Sequence, residues 1–317
     1  MANTCKVCGL SFSSERQLHG HLKAHKLRLA GYYQQYYPRY DLHTGEIIKF
    51  KNKTQYFSSK FNSKTNLRMW LKKQPEQEAK KFCEEILQER IIDKDLKYSP
   101  CQVELRSLMF PPVQYYNELF NTYYDLCSKL GLKSKYYNAF ELIVGEEWAD
   151  PKHKIYIDTR EQKSLRFDRP IEIKKLNFGD YSFSSREASG NCYVERKSLT
   201  DFVGTMSGGL DRFKKEIQRA KESEAYLVIL VEAKYNDALH FDQIRRKGTN
   251  SRLYSKIRIN PEFIFHNVRN LIQENEHIQF LFVEGRKEAS RIVEKIFTSG
   301  GGVKKIDLQL FYDLGKL

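Results

Sequence analysis

Residues 179–201 have the sequence GDYSFSSREASGNCYVERKSLTD, and this stretch decides the fold of the carboxyl-terminal half. Asp180 precedes Glu195 by fifteen positions, and Lys197 follows Glu195 by two. Alternate side chains of a β-strand share a face, so Glu195 and Lys197 are expected on one face and Arg196 on the other. Two carboxylates can hold a magnesium ion with its waters, and a nearby ammonium can orient or help to deprotonate an attacking water. The stretch therefore predicts an acidic metal site with a lysine beside it.

The sequence on both sides of this stretch alternates β-rich runs with amphipathic helices. Strands are predicted at residues 154–158, 191–197, 226–231 and 278–283, and helices at about 210–223, 261–274 and 286–297. This alternation predicts an α/β domain with a central mixed sheet. No run approaches the roughly 18 apolar residues of a membrane span, so no membrane association is expected.

The motif residues resemble those of a known nuclease family. GDY at 179–181, ERK at 195–197 and Asp201 match the G-D-xn-E-R-K-x3-D signature of the XPF (xeroderma pigmentosum group F) type of structure-selective endonuclease. IDTRE at 157–161 resembles the family's D-x-R-E segment, and GLDRF at 209–213 resembles its short basic turn. The resemblance covers about residues 152–298. It implies a restriction-endonuclease-like PD-(D/E)xK nuclease domain that cuts DNA, with a function in DNA repair or recombination.

The resemblance also implies a metal site. Asp180 and Glu195 would be the principal ligands of a magnesium or manganese ion, and Asp158 would lie beside them and complete the acidic pocket. The cofactor expected here is therefore Mg²⁺ or Mn²⁺.

The other matched residues take supporting roles by the same resemblance. Lys197 would be the catalytic lysine, and Arg196 would stabilise the pocket or contact phosphate. Asp201 would support the metal or the lysine. Arg160 and Arg212 would lie around the pocket and contact DNA.

The first thirty residues carry a second metal-ligand pattern, which consists of Cys5, Cys8, His21 and His25. Two thiolates on a tight turn and two imidazoles on one helical face can close a tetrahedron around zinc. Phe12 and Leu18 stand between the pairs and supply an apolar core. The pattern resembles the two-cysteine, two-histidine ββα zinc finger, which depends on Zn²⁺ to fold.

The finger is expected to help DNA docking more than base recognition. Its base-contacting positions −1, 3 and 6 are Ser14, Gln17 and Gly20, and glycine offers no side chain. Arg16 and Lys23 are expected near phosphates, with Gln17 as the remaining base contact. A protein partner for the finger is the alternative.

Residues 31–150 contain no motif that can be tied to chemistry. Helices are predicted from Pro75, from residues 99–100 and over residues 113–130, so this region is interpreted as a linker and a mostly α-helical module. The aromatic run 32–40 could stack on bases or pack as a linker. The basic residues between 60 and 73 are either a DNA-binding face or a solvated surface.

The predicted organisation is a zinc finger at 1–30, a linker and helical module at 31–150, a nuclease domain at 151–300 and a tail at 301–317. Only about twenty residues follow the last nuclease helix, where most family members carry a tandem helix-hairpin-helix module. The tail is expected to be a glycine hinge and a short strand. The finger and the helical module would then hold the DNA, and a homodimer through the nuclease domain is left open.

The charge of the chain agrees with a nucleic-acid partner. The formal net charge is +14 and the pI is near 9.3, which attracts phosphates independently of sequence. One basic segment, with Arg245, Arg246 and Lys247, is interpreted either as a loop that closes on DNA or as a solvated loop.

Three functions remain open at this point. The first is a structure-selective DNA endonuclease acting on branched or flapped DNA. The second is a sequence-directed endonuclease of the homing or restriction kind, and the third is a catalytically silent DNA-binding scaffold. Because no secretory leader is found, an intracellular location is expected, which is cytoplasmic for a bacterium or phage and nuclear for a eukaryote.

Overall fold

The computed structural model of the chain describes residues 3–50, 55–56, 59–136, 153–183, 191–244, 259–298 and 300–317. Contacts divide the chain into two compact units. The first unit comprises Met1–Ile86 and Leu108–Pro111, and the second comprises Leu87–Ser107 and Pro112–Leu317. Within the described ranges, no helix combines the length and the apolar character needed to cross a lipid bilayer.

The first unit is built on short helices. It contains α1 (Glu15–His21), a 3₁₀ helix (Leu22–His25), α2 (Leu29–Tyr36), α3 (Lys64–Leu71) and the beginning of α4 (Glu76–Lys94). Thr4 and Ser11 form an antiparallel bridge ahead of α1.

The aromatic run that follows the finger is packed, not free. Tyr32 is fully buried and Tyr33 is 5% exposed, in one apolar cluster with Cys5, Leu18 and Tyr56. The boundary expected at residue 30 therefore falls inside this cluster. A finger of this size has little core of its own, so it extends its core over α2.

The second unit contains the rest of α4 and the remaining helices. These are α5 (Gln102–Ser107), α6 (Val113–Leu119), α7 (Tyr123–Lys129), α8 (Leu199–Thr205), α9 (Leu210–Glu222), α10 (Tyr235–Leu239), α11 (Pro261–Glu274), α12 (Gly285–Thr298) and α13 (Leu308–Asp313). Two 3₁₀ helices, Phe241–Gln243 and Gly300–Lys305, accompany them.

A six-stranded sheet forms the centre of this unit. Its strands are β1 (Ile155–Asp158), β2 (Ile171–Lys174), β3 (Tyr181–Phe183), β4 (Cys192–Lys197), β5 (Tyr226–Val231) and β6 (Ile278–Phe282). Their order is β2-β1-β3-β4-β5-β6. β3 is antiparallel to β1 and β4, and the other pairs are parallel. The predicted α/β fold with a central mixed sheet is confirmed.

Helices cover both faces of the sheet, which explains the continuous apolar run of β5. All six residues of β5 are buried, as expected for a strand enclosed on both faces. Alternation along β6 divides its side chains: Leu281 joins the cluster that contains Ile292 and Ile296 of α12, whereas Phe282 stacks on Phe265 of α11.

Two strands were not foreseen from the sequence. β2 is an edge strand of four residues whose short apolar alternation, Ile171 and Ile173, is more than half exposed and does not mark a buried face. β3 is only three residues long, and all three are buried. Neither pattern differs enough from a loop to be recognised.

Helices α5, α6 and α7 belong to the second unit, although they lie before the division that was expected at residue 150. The hydroxyl of Tyr235 donates to the carbonyl of Val103 at 2.6 Å, and the N–H of Gln102 donates to Asp307 at 2.7 Å. The helix expected over 113–130 is two helices, because Thr122 caps a new one by accepting from the N–H of Asp125.

The expected carboxyl-terminal strand is wrong, because residues 308–313 form helix α13. Asp307 caps this helix by accepting from the N–H of Leu310. The backbone of the neighbouring strand β6 bonds to a side chain of this helix and not to a further strand: the N–H of Phe282 donates to the Oε1 of Gln309 at 2.8 Å. The alternating apolar pattern of the tail reflects burial in the unit and not strand pairing.

Candidate active site

The polar side chains at the end of β4 lie on the two faces of the sheet. The Nζ of Lys197 lies 2.8 Å from the Oε1 of Glu195 and 5.1 Å from the centre of the Phe213 ring on α9. Arg196 contacts a different residue, Glu161. Strand alternation therefore brings one carboxylate and one ammonium together, and only 8% of Lys197 is exposed.

Asp180 is brought to this pair by the turn that precedes β3. Its own N–H donates to the carbonyl of Val194 at 2.9 Å, and the N–H of Arg196 donates to its Oδ2 at 2.7 Å. Burial and the negative charge of Glu195 raise the pKa of Asp180 to about 7, against the opposing effects of the Arg196 N–H and Lys197. The pocket therefore holds more negative charge than its lysine neutralises.

Glu216 on α9 adds a third carboxylate that the sequence patterns did not single out. It accepts a hydrogen bond from the N–H of Gly179, and burial together with the charge of Glu195 raises its pKa. Glu216 lies three residues after Phe213, on the same side of the helix. Glu216 could have been identified from the sequence as an acidic residue beside the apolar stripe of a predicted amphipathic helix.

The chemistry of these carboxylates suits a divalent cation, although their oxygen atoms do not gather as closely as the Cys and His ligands of residues 5–25 do. Asp180, Glu195 and Glu216 offer oxygen ligands, which magnesium and manganese prefer. Burial and the charge of Glu195 raise the pKa values of both Asp180 and Glu216, so negative charges are crowded in this pocket. A bound cation would offset the repulsion that raises them.

Asp158 is less free to bind metal than the sequence suggested. Its Oδ1 accepts from the N–H and the Nε of Arg160, at 2.8 and 2.6 Å. Its Oδ2 accepts from Arg160 again and from the N–H of Leu176. Burial alone would raise the pKa of Asp158, but these bonds hold it below its usual range. A metal ion would have to displace Arg160 to reach this carboxylate.

Arg196 ties two loops together at the other face of the sheet. Its guanidinium lies 3.0 Å from Glu161, after β1, and 3.3 Å from Glu232, after β5. Burial would lower the pKa of Arg196, but the two carboxylates raise it above its usual range. The side chain is 14% exposed. Arg196 therefore stabilises the structure through its ion pairs with Glu161 and Glu232. A contact with phosphate, as the sequence predicted, would require these ion pairs to break.

The model of the ERCC4 domain family matches residues 157–296. This chain contains an ERCC4 domain. The match includes the Asp158, Asp180, Glu195 and Lys197 positions and the helix that carries Glu216. The matched residues lie in the second unit and include the signature from which an XPF-type domain was predicted.

Two solved structures similar to the chain are of XPF from Aeropyrum pernix, and one of them is a complex with DNA. The first is 21% identical with a TM-score of 0.31, covering 45% of this chain and 59% of that chain. The DNA complex is 20% identical with a TM-score of 0.31, covering 45% and 62%. The chain thus spans about three-fifths of the XPF chains that it matches. No curated protein sequence matches it.

Three other predicted residues of the ERCC4 domain are exposed at the surface. Asp201 is exposed and accepts a hydrogen bond from the hydroxyl of Ser198 at 2.6 Å, which fixes the start of α8. Arg212 is exposed in the first turn of α9. The side chain of Arg160 is 67% exposed while it holds Asp158. Arg245, Arg246 and Lys247 lie outside the described residues.

Gly179 controls the position of Asp180, and its replacement is a test of the turn. Its φ is +58°, and an added Cβ would lie 2.9 Å from the carbonyl oxygen of Val194. Gly179→Ala is expected to lower the free energy of unfolding by about 2–3 kcal/mol and to displace Asp180. Urea titration measures this loss.

The matched control is Gly204→Ala in helix α8. An added Cβ at Gly204 meets no atom within 4 Å, and the backbone there is ordinary helix. This variant is expected to gain roughly 0.5–1 kcal/mol from helix propensity. Equal unfolding free energies for the two variants would contradict the constraint at Gly179.

The finger brings its four predicted ligands together. The ligand atoms of Cys5, Cys8, His21 and His25 all lie within 4.8 Å of one another. Among the described residues, no other group of three or more Cys, His, Asp or Glu side chains brings its ligand atoms this close together. Hydrogen bonds from the N–H groups of Cys8 and Val7 lower the pKa of Cys5, although its burial opposes this. Two thiolates and two imidazoles at this spacing fit a tetrahedral zinc ion.

Helix α2 closes over the finger. The hydroxyl of Tyr32 accepts from the N–H of Lys6, between the two cysteines, at 2.9 Å. The hydroxyl of Tyr33 donates to Glu15 of α1 at 3.2 Å. Arg16, Gln17 and Lys23 stay exposed on the remaining side of the finger. That side is therefore accessible for the DNA docking that the sequence predicted.

Proposed function

We propose that this protein is a DNA endonuclease that hydrolyses phosphodiester bonds with magnesium or manganese at the pocket of Asp180, Glu195 and Lys197. The observation that carries the proposal is the convergence of two carboxylates and a buried lysine within an ERCC4 domain. Glu216 joins these residues from α9.

Asp180 and Glu195 would hold the divalent cation, with Glu216 as a third oxygen ligand or as the acceptor of a metal-bound water. A cation bound there supplies charge that stabilises the phosphoryl oxygens and lowers the pKa of a bound water. The N–H of Arg196 holds the Oδ2 of Asp180 at 2.7 Å, so one carboxylate oxygen is oriented and the other is free for this role.

Lys197 acts from a buried position. Its ammonium donates to Glu195 at 2.8 Å, and the face of Phe213 excludes water on one side. A fixed cation in a desolvated pocket interacts more strongly with an attacking oxygen or a scissile phosphate than one in water. Lys197 is therefore assigned to orienting the nucleophile and stabilising the charge that develops on the phosphate.

The preference for branched or flapped DNA is proposed from the XPF-type character of the domain. The finger is proposed to hold zinc and to aid docking through Arg16, Gln17 and Lys23, which are exposed. The net charge of +14 supports a polyanionic substrate.

The test is cleavage of end-labelled DNAs with magnesium or manganese, comparing wild type with Asp180→Ala. The substrates are duplex, single strand, flap, splayed arm and four-way junction, with a plasmid library of random sequence. Cuts at the branches that disappear in Asp180→Ala are expected. Cuts at one recurrent plasmid sequence would favour a sequence-directed enzyme. Absence of cleavage on every substrate would leave DNA binding as the function.

A further inference from the structure

One stretch of the first unit concentrates the positive charge of the protein. Residues 47–75 contain eight Lys and Arg residues and no Asp or Glu, so they carry a net charge of +8 out of +14 for the whole chain. A solvated surface usually mixes both signs of charge. A segment without a single acid is therefore unusual for a purely structural surface.

Helix α3 and the two residues that follow it carry four of these cations. Its side chains Leu67 and Leu71 are buried at 3% and 4% exposure. Lys64, Arg68 and Lys72 are exposed and follow one another at four-residue spacing, and Lys73 is exposed next to them. Residues four apart lie on the same side of a helix. These four residues are called the cationic stripe.

The helix that carries the cationic stripe is anchored by aromatic contacts, and three of the four cations have no ion-pair partner among the described residues. The ring of Trp70 lies 4.9 Å from that of Phe82 and 5.7 Å from that of Phe61, which anchors the inner side of α3. Over the described ranges, the side chains of Arg68, Lys72 and Lys73 form no ion pair or hydrogen bond. The nearest following acid, Glu76, is paired with Lys80 at 2.5 Å.

We propose that the cationic stripe binds the phosphate backbone of duplex DNA without regard to sequence. From Lys64 to Lys72 the stripe is about 12 Å long at 1.5 Å per residue, and successive phosphates of one strand are spaced about 3.4 Å along the duplex axis. The stripe therefore matches three or four phosphates. The inference rests on the proposed function only in the choice of DNA as the polyanion.

The test is the salt dependence of DNA binding by the full chain. The Asp180→Asn protein, dialysed free of magnesium with its zinc retained, is titrated onto a fluorescein-labelled duplex between about 50 and 200 mM salt. In the same background, Arg68→Gln, Lys72→Gln and Lys73→Gln are combined. Loss of three phosphate contacts should lower the slope of log K against log salt by about 2–3 and weaken binding at least about tenfold.

The matched control removes the same charge from scattered positions of the second unit. Lys97→Gln, Lys129→Gln and Lys305→Gln alter three exposed lysines that form no side-chain ion pair among the described residues. This variant is expected to keep most of the slope and affinity. Thermal melting of both triple variants checks that they remain folded.

Equal losses in the two triple variants, or no loss in either, would overturn the proposal. Markedly tighter binding to an RNA duplex of the same sequence would overturn DNA as the partner. These outcomes are separate from those for the catalytic pocket. If the wild type cleaves DNA but the stripe variant binds as tightly as the wild type, only this inference is contradicted. If binding depends on the stripe but no DNA is cleaved, only the proposed endonuclease activity is contradicted.

Discussion

Replacement of Asp180 by asparagine is expected to abolish cleavage and yet to stabilise the metal-free protein at pH 8 by roughly 1–3 kcal/mol. Burial and the charge of Glu195 raise the pKa of Asp180 to about 7 from an ordinary value of 3.8. The ionised carboxylate is therefore unfavourable in the folded protein. Asparagine removes that charge and keeps an oxygen that can accept from the N–H of Arg196.

The pH dependence of this effect has a definite sign. Because the folded-state pKa lies above the unfolded one, the contribution of the Asp180 carboxyl to stability is fully present below about pH 4 and is lost as the pH rises through about 7. The stability difference between variant and wild type is thus expected to be smallest below about pH 4, to grow between about pH 4 and 7, and to be largest at pH 8. Added magnesium should stabilise the wild type more than the variant.

The measurement is urea unfolding of both proteins across this pH range, with and without magnesium. Asp201→Asn is the matched control, since Asp201 belongs to the same motif but is exposed and accepts a hydrogen bond from the hydroxyl of Ser198, the N-cap of helix α8. It should show no gain at pH 8. A pH-independent difference for Asp180→Asn, or a loss of stability at pH 8, would contradict the assignment of a crowded acidic pocket.

Removal of zinc is expected to unfold the finger, because zinc binding to such small domains contributes on the order of 10 kcal/mol. Without the metal, four polar ligand groups face one another, with the Nε2 atoms of His21 and His25 only 3.0 Å apart. The core over them includes Tyr32 and Tyr33, so loss of the finger should expose these rings.

Hydrogen exchange of residues 3–36, measured with and without a zinc chelator, tests this expectation. Cys8→Ser should bind no zinc and lose protection over this segment in both conditions. Cys83→Ala is the control, because Cys83 is buried away from the four ligands, and it should retain one zinc per chain. Unchanged protection after zinc removal would show that the fold of the finger does not depend on metal.

The sequence predicted the structure best where a short motif, or the two-residue repeat of a β-strand, determines which face each side chain lies on. The period of two along β4 separates Glu195 and Lys197 from Arg196, and the buried run of β5 needs helices on both sides. Both features depend on neighbouring residues. They can therefore be predicted without knowing how distant segments meet.

Other features depend on contacts between distant segments. Glu216 reaches the pocket because α9 packs against the turn at Gly179, thirty-seven residues earlier. The hydrogen bond from the backbone of β6 to the side chain of Gln309 accompanies a helix where the tail pattern indicated a strand. The finger likewise needs α2 to complete its core. No local pattern in the sequence predicts these contacts between distant segments.

Single-turnover cleavage of a labelled splayed-arm DNA with magnesium, comparing Asp180→Asn with Asp201→Asn, tests the central claim most directly. Both variants remove one carboxylate from the same motif, but only Asp180 lies in the pocket with Glu195. The predicted result is a loss of at least about a thousandfold for Asp180→Asn, since a metal site is lost, and a loss below about tenfold for Asp201→Asn. Similar rates for Asp180→Asn and the wild type would contradict the assignment of this pocket as the active site.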